Sequence, residues 1–292
     1  MSTDQSSHTG AALYSHDDTV AAITSYYKLL AHAIHSTESL LHPPPEGWPQ
    51  LHDPDVVLGL GYSDEALNLI RHIPYFEQSD IFQIMPDVQP KSYIEVFHLE
   101  RYANWGRILR SGSYNEPEDE RGIPSHLICL GIRAEEREWG HEMWLDTKLG
   151  NVIVGSNHAQ VPPDMVIVPE DCNSWDDSYS NLFFDYGHEG EGFAWRIDTF
   201  FAACERHLRE MHWIPGLTSY VLHIDGEGND IALLRNEQRK QIMRDYGWPG
   251  DSWDAWAAQD EFERVEELSP TGGDSEREEL ASAYSSLDLG KA

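Results

Sequence analysis

The chain has 292 residues, with 51 Asp plus Glu against 20 Lys plus Arg and a formal net charge of −31. A field of that sign repels phosphate backbones and anionic leaflets, which argues against direct partnership with nucleic acid or a membrane surface. With 40% hydrophobic and 11% aromatic residues there is ample material for a core, so wholesale disorder is excluded.

Met1 to Asp18 has neither a basic start nor an apolar run, and no stretch approaches the ~18 apolar residues of a membrane helix. Three cysteines (Cys129, Cys172 and Cys204) lie far apart without a CxxC pair, which suits a reducing compartment. The expectation is a soluble protein of the cytoplasm, or of the nucleus.

Residues 1–16 read as a disordered leader. Asp17 or Asp18 can cap a helix with Val20, Ile23, Tyr27, Leu30 and Ile34 at three- and four-residue steps, ending by Leu41 before Pro43-Pro44-Pro45. A Pro-rich link containing Trp48 follows. A second helix is predicted from Ser63, with Ala66, Leu67, Ile70 and Ile73 on one face, stopping at Pro74.

The middle of the chain changes period. Ser92 to Leu99 alternates, and Leu127 to Ile132 is a short continuous apolar run. Glu142–Asp146 and Asn151–Val154 flank Thr147-Lys148-Leu149-Gly150 and predict a hairpin, with Gly150 at a positive φ. Helical spacing returns over 192–213 through Phe193, Ile197, Phe200, Phe201, Cys204, Leu208 and Met211. Val221 to Ile224 reads as a strand, and Asp230 to Tyr246 as another helix, stopped by Gly247-Trp248-Pro249. Residues 251–292 carry 12 acids and 3 bases, which predicts a marginal acidic helix and then a largely disordered tail.

Strands cluster between helices and do not alternate with them. The expectation is therefore one α+β domain over 17–250, with an acidic tail over 251–292. Its core is a mostly antiparallel sheet of about four to six strands with helices packed on one face.

Motifs for chemistry are sparse. Gly59-Leu60-Gly61 lacks the third glycine of a dinucleotide fingerprint, and no GxxxxGK[ST] occurs. His141-Glu142 starts like a zincin signature without its second histidine. His32 with His35, His207 with Met211, and the His223/Asp225 pair each lack a third ligand. No GxSxG is present, and Cys129 and Cys204 fall on apolar faces. These features predict no catalytic residue, no metal ligand and no cofactor.

The most biased segment runs from Leu149 to Trp195, with eight acids, no Lys or Arg, and interleaved aromatics. Trp175, Asp176, Asp177, Asp185, Tyr186, Glu189 and Glu191 are the candidate partner-binding residues. There charge would steer a basic protein and aromatic rings would anchor it. Two other readings stand beside this one. One is an enzyme of specialised metabolism with an aromatic-lined pocket, in which buried carboxylates or His98 act as acid and base. The other is an acidic inhibitor of a nucleic-acid-binding protein.

The hairpin segment Glu142-Met143-Trp144-Leu145-Asp146-Thr147-Lys148-Leu149-Gly150-Asn151-Val152-Ile153 resembles the strand, D-T-x-x-G, strand unit of SUKH-superfamily proteins. That group includes fungal cell-wall-synthesis regulators and bacterial toxin-immunity proteins. Ala194 to Leu208, with Phe200-Phe201, is similar to the helix that follows this hairpin in the family. Leu60 to Pro74 and Tyr246-Gly247-Trp248-Pro249 are similar to pieces of fungal members. The Asn-Gly or Gly-Gly turn usual after the family's early helix is not found after Ile73. The resemblance implies an α+β domain that recognises other proteins without catalysis.

Overall fold

A computed structural model describes residues 14–34, 37–54, 60–77, 82–94, 124–133, 141–156, 191–217, 221–226 and 228–268. The first helix, α1, spans His16–Ala33. Ser15, rather than either aspartate, is its N-cap and accepts from Asp18 N at 3.4 Å. Asp17 and Asp18 sit in the first turn, where their charge complements the helix dipole. The helix closes earlier than the proline run demands, because Leu40–Leu41 form a short strand, β1, paired antiparallel with β2 (Tyr75–Phe76). Between them, Gly61 turns the chain at φ 63 and Ser63 caps α2 (Asp64–His72). Trp48 of the proline-rich link is buried and donates its indole N–H to Ile73 O at 2.9 Å.

The main sheet is a five-stranded antiparallel meander, ordered β3 (Val88–Pro90), β4 (Leu127–Arg133), β5 (Glu142–Asp146), β6 (Asn151–Ser156) and β7 (Glu191–Arg196). Of the predicted strand Ser92 to Leu99, residues 95–99 lie outside the described ones. The strand that joins the sheet is Val88–Pro90, just upstream. The predicted hairpin forms as β5–β6, and Gly150 takes φ 70. Asp146 fixes its turn: one carboxylate oxygen accepts Lys148 N at 2.7 Å and Leu149 N at 2.9 Å.

Alternation divides the sheet's residues between two buried faces. Ile128, Leu130, Met143, Leu145, Val152, Val154 and Trp195 join the large core with α1, α2 and the helix after β7. Leu127, Cys129, Ile132, Trp144, Ile153 and Ala194 form a smaller cluster on the other face. A bulge between Cys129 and Gly131 shifts the phase, which places Ile132 on the same face as Leu127.

The predicted helix over 192–213 is corrected. Residues 191–196 are strand β7, paired with β6 from Asn151↔Arg196 to Ser156↔Glu191. The helix, α3, covers Ile197–Arg209. Phe193 fell into helical spacing by coincidence, since ladder bonds to β6 outweigh a pattern of one extra residue. α3 packs along α1, with the Tyr26 and Phe201 rings 5.9 Å apart. A second small ladder joins β8 (Trp213–Pro215) to β9 (Leu222–Ile224). The chain continues into α4 (Asp230–Asp245) and α5 (Ala255–Leu268).

Where the sequence reads a marginal helix and tail, residues 253–262 are tied into the core. Trp253, Ala255, Ala258 and Phe262 are buried in the same cluster as α1 and α3. Their apolar spacing supplies the burial that a charge count conceals. Among the described residues no helix is long and apolar enough to cross a membrane.

Candidate functional site

Of the residues singled out as a partner surface, Trp175, Asp176, Asp177, Asp185, Tyr186 and Glu189 lie outside the described residues. Glu191 opens β7, with its backbone opposite Ser156. Among the described residues an exposed aromatic beside acids occurs on α5.

Three contacts build that place. Gly247, at φ 99, ends α4, and Trp248 then buries its ring and donates to Leu208 O at 3.2 Å. Trp253 meets Trp248 edge to face with ring centroids 5.6 Å apart. Asp254 caps α5 by accepting Ala257 N at 3.0 Å. With Ala255, Ala258 and Phe262 turned inward, the opposite side of α5 carries Trp256, Gln259, Asp260 and Glu263 at steps of three, one and three.

Trp256 is 60% exposed, the one large apolar side chain among the described residues that stands mainly in solvent. Between residues 251 and 265 there are five acids against a single base, Arg264. That base is engaged locally: Arg264 donates through Nε and a terminal nitrogen to the Glu261 carboxylate at 2.8 and 2.6 Å. Gln259 donates to Glu263 at 2.9 Å. Asp260 has no cationic partner among the described residues. An exposed indole with carboxylates one and two turns away presents a ring face and negative charge to solvent on one side of the helix.

Other titratable groups were candidates for chemistry. Asp225 and Glu237 both accept from the Lys240 ammonium, Glu237 at 2.7 Å. Burial would lower the Lys240 pKa, but these bonds outweigh it and raise it, so Asp225 belongs to a structural ion triad. Burial pushes the Cys129 thiol up to about 12, with the Lys91 charge opposing, and its Sγ donates to Gly131 O at 3.4 Å. Cys204 is likewise raised well above its ordinary value by burial. Neither is a thiolate near neutrality.

Tyr62 and Tyr93 share a hydrogen bond at 2.9 Å, and Tyr93 donates to Cys129 O at 2.9 Å. His141 is buried and held neutral by desolvation. His207 stacks on Trp213 at 5.1 Å. His35 and His98 lie outside the described residues. Among the described residues no three His, Cys, Asp or Glu side chains gather to hold a metal ion.

An open cleft of about 650 Å³ runs beside α1, lined by Val20, Lys28, Pro44, Pro45 and the His16/His72 pair. His16 and His72 meet edge to face at 5.3 Å, and His72 Nδ1 donates to Asn68 O at 2.8 Å. Asp17 also lines the cleft and accepts from His16 Nδ1 at 2.8 Å, with Thr24 and Ser25 on the same side of α1.

No family model, curated protein or solved structure matches this chain.

The outer face of α5 was missed because the chain after Asp251 reads as a charge run. The available signal was Ala255, Ala258, Phe262 and Val265 at steps of three, four and three, which leaves Trp256 on the wrong side for a core residue.

Proposed function

We propose that this chain is a non-enzymatic protein-binding or regulatory module of the cytoplasm or nucleus that uses an acidic, aromatic-bearing surface to capture a basic protein. The observation that carries the reading is Trp256, 60% exposed on a helix face whose other residues are Gln259, Asp260 and Glu263. Burying a large exposed indole against a partner is worth more than any other single apolar contact the described surface offers. A net charge of −31 steers a basic partner toward that anchor. The resemblance of Glu142–Ile153 to the SUKH hairpin supports the same class of activity by analogy alone. Recognition by charge and shape needs no cofactor.

The test is capture of purified basic proteins on the immobilised chain at low and at high salt. Screening over about 8 Å at physiological ionic strength weakens steering, so retention falls steeply as salt rises. Retention indifferent to salt, or absent at low salt, defeats this reading.

A further inference from the structure

We infer that the α5 face takes arginine in preference to lysine, so that the partner segment is arginine-rich and docks one guanidinium on Trp256. The inference rests on the proposed capture of a basic protein and specifies the chemistry of that contact. Asp260 lies one turn from Trp256, about 6 Å along the axis. A planar guanidinium can stack on the indole while its edge offers paired N–H donors to the Asp260 carboxylate. An ammonium is a compact, strongly hydrated charge, and must choose between the ring and the carboxylate.

The opposite side of the same helix already shows the first half of this geometry. The Arg239 guanidinium lies 4.9 Å from the Phe262 ring centroid, bridging α4 to α5. Glu261 is already committed to Arg264. The acids left for an incoming cation on the Trp256 side are Asp260 and, one turn further, Glu263.

The experiment titrates the full chain with two dye-labelled synthetic peptides of equal length and charge. One spaces arginines with glycine, and the other has lysine at every arginine position. Fluorescence anisotropy reports affinity for wild type, Trp256→Ala, Trp256→Phe, and the pair Asp260→Asn with Glu263→Gln. A charge-matched control replaces Asp17→Asn and Glu65→Gln. Those acids neighbour Tyr14 at the start of α1, whereas α5 is tied through Trp253 to His32 in its last turn.

Wild type should bind the arginine peptide about two- to fivefold tighter than the lysine peptide, the span an exposed cation–π contact supplies. Trp256→Ala should erase that preference and Trp256→Phe reduce it. The Asp260/Glu263 pair should weaken the arginine peptide more than the control pair does. Equal affinity of wild type for the two peptides, or a preference that survives Trp256→Ala, overturns the inference while leaving salt-dependent capture of basic proteins standing. Binding of neither peptide at low salt overturns both.

Discussion

The indole N–H of Trp253 donates to the backbone carbonyl of His32 at 3.0 Å, across 221 positions of sequence. His32 lies in the last turn of α1, where carbonyls lack intrahelical donors. One side chain therefore satisfies a helix end near the start of the chain and fixes the approach of α5, which carries Trp256. Replacing Trp253 with Phe keeps most of the apolar contact and should cost about 1 kcal/mol from the lost bond. Trp253→Ala should cost about 3–5 kcal/mol, as for other buried aromatics. Equilibrium urea unfolding measures both; a Trp253→Ala midpoint equal to wild type would show that α5 is not anchored there.

Asp146 is the second place where one side chain holds a turn. Its carboxylate is 1% exposed and receives both Lys148 N and Leu149 N, with His126 Nε2 at 3.9 Å. Asp146→Ala removes the acceptor of two amides in a part-buried turn and should destabilise by about 1–3 kcal/mol, while Asp146→Asn keeps one acceptor oxygen and should recover part of that. Calorimetric melting of the two variants gives the order directly, and an alanine variant as stable as the asparagine one contradicts the capping role.

The hairpin around Asp146 was legible because period-two apolar residues flank a turn with a glycine at the left-handed position. α1 and α2 were legible because their apolar residues recur at steps of three and four, and Pro74 stops α2, whereas α1 ends at Ala33 ahead of its proline run. β1 and β2 were not, since two-residue strands carry no period at all. β7 was read as helix because Phe193 stands four positions before Ile197, a spacing that bridges the strand–helix junction by chance. The expected partner surface at Trp175 to Glu189 lies outside the described residues, and the exposed aromatic that the structure does describe, Trp256, was not singled out. Charge dominated the reading after Asp251, and only the inward packing of Ala258 and Phe262 reveals that Trp256 faces out.

Gly131 pairs with Pro90 of β3 and leaves no room for a side chain. A Cβ there would lie 2.5 Å from Val88 Cγ1 and 3.1 Å from both Gln89 O and Ile84 Cδ1. Valine is β-branched and stiff, and the backbone oxygen is held by the ladder, so the sheet must open for any larger residue. Gly131→Ala should cost about 1–3 kcal/mol and loosen the β3 edge. Hydrogen exchange would show faster loss of protection at Gln89 and Lys91 than at Val152; unchanged rates at β3 would refute the close-packing argument.

The two buried thiols should be chemically silent. With Cys129 held near 12 by burial, its thiolate fraction at mildly alkaline pH is about a thousandfold below that of a free cysteine. Peptide mapping after iodoacetamide treatment should find Cys129 and Cys204 unmodified in native protein and alkylated in urea. Rapid native alkylation of Cys129 would mean that the second sheet face opens readily.

His207 gives the fold an acid-sensitive point. Burial lowers its pKa from 6.5 to about 4, and the neighbouring His212 and Arg206 act in the same direction while Glu210 opposes. Its Nδ1 is buried without a hydrogen-bond partner, and the ring stacks on Trp213 at an interplanar angle of 19°. Because the folded-state value lies below the unfolded one, the unfolded chain takes up this proton first. Stability from this group is intact above pH 6.5 and drains away as pH falls toward about 4, where the folded state is protonated too. His207→Phe keeps the stacking and removes the titration. Its stability relative to wild type should therefore rise as pH drops through that window and level off below it. The ring is partly exposed, so solvent screening makes the rise smaller than the full pKa difference implies. Parallel stability–pH curves for the two proteins would place the acid sensitivity elsewhere, as at Glu261, whose carboxyl the Arg264 hydrogen bond holds below its ordinary value.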